Sequence, residues 1–129
     1  MECINISPNT AHTYYERAMR AIELQNGNEV RNSLLLAACG GHPLAKAQLC
    51  LYYHKRGSEN NNREYLERSK LYYKEAIPLL RAMLERKTLV DSVVRMLQEM
   101  ANRGFEEARH CLAEWNERAT EEAEDDEMI

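Results

Sequence analysis

Cys39 and His42 stand three positions apart, and Cys50 and His54 four. Zinc favours four sulfur and nitrogen ligands, and residues at i and i+4 share one face of a helix, so this quartet has the residue types of a metal centre. Internal similarity explains the same residues at less cost. The segment Ala38–Tyr52 returns sixty-three positions later as Ala101–Trp115, with matches at Ala38/Ala101, Gly41/Gly104, Ala45/Ala108, Leu49/Leu112 and Tyr52/Trp115. In that register Cys50 falls opposite Ala113, a small-residue packing position, and Cys39 falls opposite Asn102. His110-Cys111 does not reproduce the spacing, so neither a metal nor a cofactor is expected. A zinc or redox protein using Cys39, His42, Cys50 and His54 remains the less favoured alternative.

Catalysis has even less to stand on. The acid pair Glu106-Glu107 opens a helix, where carboxylates favour the positive end of the dipole. The sequence holds no phosphate-cradling glycine loop, no H-E-x-x-H and no G-x-S-x-G. No catalytic residue is assigned, and a non-enzymatic role is expected.

The elements that must carry these residues are all helical. Val and Ile are scarce and there is one Phe, while Ala, Leu, Glu, Arg and Met are plentiful. Ser7-Pro8-Asn9-Thr10 offers a cap before a stripe of Ala11, Tyr14, Tyr15, Ala18, Ala21 and Ile22, and Asn26-Gly27-Asn28 ends that helix. A second helix is read over about Glu29–Cys39, stopped by Gly40-Gly41, and a third begins at His42-Pro43 and breaks at Gly57. The Asn-rich run to Asn62 reads as an exposed loop. A long fourth helix starts near Arg63 and is expected to kink at Pro78. A fifth is read over about Leu89–Asn102, and a sixth follows Gly104 to about Arg118.

Tyr14-Tyr15 corresponds to Tyr72-Tyr73 at an offset of fifty-eight, which sets the six helices out as two related triplets. Such repetition is the mark of stacked helical units, which commonly serve as protein-binding surfaces.

At 129 residues the chain fits one domain with a core of its own. Residues 1–119 are read as that domain and 120–129 as a disordered acidic tail. The formal charge of -4 comes from this tail, which holds six of the 21 acidic residues. The body is therefore nearly balanced, which argues against a nucleic-acid partner. No apolar run approaches the roughly twenty residues that span a bilayer, and Met1-Glu-Cys-Ile-Asn5 lacks the basic and apolar regions of a leader. A cytoplasmic location is expected. Cys3, Cys39, Cys50 and Cys111 show no framework spacing and fit reduced thiols.

Ala37-Ala38-Cys-Gly-Gly41-His-Pro-Leu-Ala45-Lys-Ala-Gln-Leu49-Cys50-Leu-Tyr-Tyr53 resembles the opening of a Sel-one-like repeat, A-A-x-x-G-x-x-x-A-x-x-x-L-G-x-x-Y. Tyr65–Ile77 is similar to the second-helix pattern of that family, with half-matches at Ala11–Met19 and Met100–Trp115. The resemblance implies a short Sel-one-like or tetratricopeptide-like α-solenoid, or a compact helical bundle, of about six antiparallel helices. It also implies a protein–protein interaction module acting as an adaptor, chaperone or inhibitor. A dedicated neutraliser of one enzyme, such as an immunity or anti-defence protein, is the alternative.

For the contact surface, adjacent tyrosines on a helix point about 100° apart, so one of each pair can lie at the rim. Tyr53 and Tyr73, with Tyr15, are the candidate aromatic contacts. Lys46, Arg56, Lys70, Lys74 and Arg81 form the candidate basic flank. Leu34, Leu35 and Leu36 put apolar side chains on more than one face of the second helix, which leaves a homodimer open.

Overall fold

A computed structural model describes the backbone of residues 6–127 and the side chains as far as Glu121. Among these residues there are six α-helices: α1 (Pro8–Glu23), α2 (Gly27–Cys39), α3 (Pro43–Glu59), α4 (Arg63–Glu85), α5 (Val90–Asn102) and α6 (Glu106–Glu127). The fold is all-α, as expected. It divides into two compact units, Met1–Leu79 and Leu80–Ile129, with the boundary falling just after Pro78 of α4.

The same hydrogen-bonded turn ends each of the first five helices. In each, the amide three residues past the last helical residue donates back to a carbonyl five positions earlier: Asn26 to Ala21, His42 to Ala37, Asn62 to Gly57, Thr88 to Met83 and Phe105 to Met100, at 2.9–3.1 Å. This is the Schellman arrangement, and it places one residue in the left-handed region. Gly41 and Gly104 fill that place at φ 81° and 96°, whereas Gln25, Asn61 and Lys87 fill it elsewhere at 57°, 52° and 56°. The sequence repeat thus includes a repeat of turn geometry. Three of its copies lack the glycine that would announce it.

In the first unit the residue that closes one turn also caps the next helix. Glu29 N–H donates to the Asn26 side chain, Ala45 N–H to His42 Nδ1 and Tyr65 N–H to Asn62 Oδ1, each at 3.3 Å. Each satisfies an amide left over at a helix start. In the second unit α5 begins at Leu89, itself left-handed at φ 47°, with no side-chain cap.

The core of the first unit gathers Ala18 from α1, Leu34, Ala37 and Ala38 from α2, and Ala45, Leu49 and Tyr53 from α3. Small residues set how closely the helices approach. At Gly40 an added Cβ would stand 2.5 Å from the Ala11 side chain, and at Gly57 it would stand 2.8 Å from Leu66. Gly57 therefore does not break α3 as the sequence reading expected. It is buried inside the helix, because α4 packs where its side chain would be. Across the same contact the Ser69 hydroxyl donates to the Cys50 carbonyl at 2.8 Å, with both residues buried.

In the second unit, Leu80 and Leu84 of α4, Val93, Met96, Leu97 and Met100 of α5, and Ala108 and Cys111 of α6 are buried. The repeat is unequal here. Ala45 and Ala108 are both fully buried, but Cys50 is buried where Ala113 is exposed. The acidic segment expected as a disordered tail continues α6 through Thr120 to Glu127. Cys3 and Met128–Ile129 lie outside the described residues. No helix is long and apolar enough to cross a membrane among the described residues.

Candidate functional site

The first unit carries an open groove of about 660 Å³. One wall is α2, with Leu35, Ala38 and Cys39, continued by Gly41 of the following turn. Lys46 and Tyr53 of α3 form the floor, and Arg68, Leu71, Tyr72 and Glu75 of α4 form the other wall. These four α4 positions are spaced i, i+3, i+4, i+7, so a single face of that helix lines the groove.

Apolar and aromatic groups dominate the middle. Tyr72 lies parallel to Tyr53 with ring centres 5.9 Å apart, and Tyr65 meets Tyr53 edge-on at 5.3 Å. Burial, with Tyr53 beside it, pushes the Tyr72 hydroxyl up to about 12, so it stays a neutral phenol. Leu71 stands at the rim with 64% of its surface exposed, and among the exposed large aliphatic side chains, with Ile22, Leu24 and Leu89, it is the one that borders this groove.

The charges around the groove are internally balanced. Lys46 Nζ lies 3.5 Å from a Glu75 carboxylate oxygen, and Arg68 lies 3.1 Å from that of Glu64. Arg68 also sits 5.8 Å above the Tyr53 ring, and its hydrogen bond with Tyr53 raises its pKa. With each cation facing a carboxylate, net charge gives the groove little to select by. Its unsatisfied feature is apolar area.

The sequence-predicted contacts separate into three groups. Lys46 lines the groove as expected. Tyr53 does too, but only 3% of its surface is exposed, so the expected rim aromatic is in fact part of the core. Its stacking partners Tyr65 and Tyr72 explain this, since they cover the ring from α4. Tyr15 and Tyr73 are half-buried, Tyr15 against His42 at 4.5 Å.

Arg56, Lys70 and Lys74 are exposed but do not line the groove. Arg56 covers the Tyr52 ring at 5.3 Å, and Lys70 pairs with Glu67 at 3.7 Å. Arg81 belongs to the second unit, where it borders a small cavity of about 30 Å³ with Leu84, Cys111 and Trp115. Its guanidinium pKa is raised first by a hydrogen bond with Cys111. The expected sticky leucine run also resolves differently: Leu34 is a core residue, while Leu35 and Leu36 are half-buried.

Leu35, Arg68, Leu71 and Glu75 were missed as groove residues by the sequence reading. The α4 spacing was a usable signal for three of them.

The Cys/His quartet does not converge. His42 turns toward α1, with Nε2 3.1 Å from His12 Nδ1, while Cys50 is buried against Ser69 of α4 with its sulfur 3.6 Å from the hydroxyl. No group of three or more His, Cys, Asp or Glu side chains is placed to hold a metal ion among the described residues. No family model, curated protein or solved structure matches this chain.

Proposed function

We propose that this chain is a non-enzymatic protein-interaction module of the cytoplasm, acting as an adaptor, chaperone or inhibitor through the groove between α2 and α4. The observation that carries the reading is Leu71. A leucine held 64% exposed beside a groove already walled by Leu35, Ala38 and Tyr72 is an apolar anchor without a cover. The volume is large enough for several side chains of a partner helix or extended segment. The paired rim charges favour a partner that inserts apolar residues over one that delivers net charge. The resemblance to Sel-one-like repeats, whose members present concave surfaces to proteins, supports the same reading.

Capture from native cytosol with the wild-type chain and with Leu71→Asp tests it. Leu71 is too exposed to be needed for the core, so the variant keeps the fold while placing a charge in the groove. Proteins held through the groove should be depleted at least tenfold on the variant. Equal capture by both chains would overturn the reading. One stoichiometric complex with a single enzyme would make the protein a dedicated neutraliser, and several partners would make it an adaptor or chaperone.

A further inference from the structure

We propose that His12, Glu16 and His42 form an acid-sensitive latch that fastens α1 to the start of α3. The inference rests on the direction of three hydrogen bonds in the first unit. Ala45 N–H can only donate, so His42 Nδ1, 3.3 Å away, must present a lone pair. Neutral His42 therefore carries its proton on Nε2. That nitrogen lies 3.1 Å from His12 Nδ1, which must accept. His12 then holds its own proton on Nε2, 2.9 Å from a carboxylate oxygen of Glu16. One assignment of protons satisfies all three contacts, and it runs in a single direction from the α3 amide to the α1 carboxylate.

The surroundings fix the rings in place. Tyr15 stacks on His42 at 4.5 Å and 19°, and His12 lies edge to edge with it, nearly parallel at 18° with ring centres 5.3 Å apart. Beside them, Gly40 admits Ala11 so closely that α1 has no slack at this point. His42 itself is 9% exposed.

An added proton has no place to go without breaking something. On His42 Nδ1 it ends the cap on Ala45. On His12 Nδ1 it sets two N–H groups against each other at 3.1 Å. Moving the His42 proton to Nδ1 would restore that bond but would again give up the cap. Two imidazolium rings this close would also repel each other.

The charged groups with ion pairs on the surrounding elements face away from the two rings. Lys46, one turn beyond His42 on α3, faces Glu75 of α4, and Glu29 of α2 faces Arg17 of α1 and accepts from Ser33. Glu16 meets His12 on its Nε2 side only and offers nothing to the Nδ1 side. Burial, then the neighbouring His12, lowers the His42 pKa to about 4, in keeping with the closed latch excluding the proton. The opened form takes the proton near the ordinary value of about 6.5, so acid selects it. A metal bridging the two rings is disfavoured by the same logic, because His42 would have to serve the Ala45 amide and the ion as an imidazolate. The latch requires no ligand in the groove.

Two measurements on the intact chain test the inference. Long-range nitrogen–proton correlation spectra of the imidazoles at pH 7 should show both rings neutral and protonated on Nε2. Hydrogen-exchange protection of α1 and of the Ala45 amide, corrected for intrinsic exchange, should fall on the order of twentyfold between pH 7 and pH 5. His42→Asn keeps a cap acceptor without a titratable ring, and in it the fall should be under twofold. His12→Gln removes the second ring and should also blunt the fall, which covers the case of a poorly folded His42 variant. The proposal is overturned if wild-type His42 is protonated on Nδ1 at pH 7, if it titrates near 6.5 with protection unchanged, or if both variants lose as much protection as the wild type.

Discussion

Gly57→Ala puts opposing effects of similar size at one atom. The position is in the last turn of α3, still helical, where alanine is favoured over glycine by up to about 1 kcal/mol from backbone entropy alone. Against this, the new Cβ would lie 2.8 and 2.9 Å from Leu66 Cγ and Cδ2, and 3.0 Å from the Leu66 backbone nitrogen. A leucine side chain can rotate away, but a helix backbone cannot. Overpacking of this sort costs about 1–3 kcal/mol, and with one of the three contacts immovable we place it in the upper half of that range. The variant should therefore be destabilised by about 1–2 kcal/mol once the helix preference is subtracted. Urea unfolding followed by circular dichroism reads this directly, alongside Leu66→Ala and the double variant. Leu66→Ala removes the two side-chain contacts, so the double variant should lose about 1 kcal/mol less than the sum of the singles. A Gly57→Ala chain as stable as the wild type, or strictly additive losses, would refute the claim that Gly57 is there to admit α4.

The remaining predictions use the same unfolding assay. Lys87→Gly should stabilise by about 0.5–1 kcal/mol, because Lys87 holds φ 56° in its Schellman turn and glycine does so without strain. Gly104→Ala at φ 96° should destabilise by about 1 kcal/mol or more, and the reverse order would show that the turns do not set the helix ends. Ser69→Ala should cost about 1 kcal/mol through the lost 2.8 Å bond to the Cys50 carbonyl, with no loss meaning that this buried bond is not formed. On acidification the unfolded chain protonates His42 near 6.5 while the folded chain holds it neutral to about 4, so its contribution is complete above 6.5 and falls as pH drops. About 3 kcal/mol should be lost across that window, less any part that latch opening relieves before global unfolding. His42→Asn should flatten the slope, and an unchanged slope would place the acid sensitivity elsewhere.

The helices were legible because their apolar spacing and their caps agree. Ser7 and His42 stand where local chemistry alone would put a helix start, while Asn26, read as the end of α1, also caps α2. Gly41 and Gly104 marked two turns for the same reason. Gln25, Asn61 and Lys87 occupy the same conformation without that residue type, and nothing local singles them out. Gly57 misled because a glycine that ends a helix and a glycine that admits a neighbour look the same in one dimension. Tyr53 was placed at the rim on the helical angle, but the covering rings come from Tyr65 and Tyr72, which only the fold brings to it. His12 and His42 are thirty positions apart, and the sequence offered His42 as a helix start and a candidate metal ligand but not as a partner of His12; that pairing is made by the fold, which sets α1 beside the start of α3.

The central claim, that the α2–α4 groove holds a protein partner on the uncovered Leu71, is tested most directly by calorimetric titration of a captured partner into wild-type and Leu71→Asp chains. At matched folding, confirmed by equal urea midpoints, the account predicts a Kd at least tenfold weaker for the variant, about 1.4 kcal/mol or more. An unchanged Kd would contradict it.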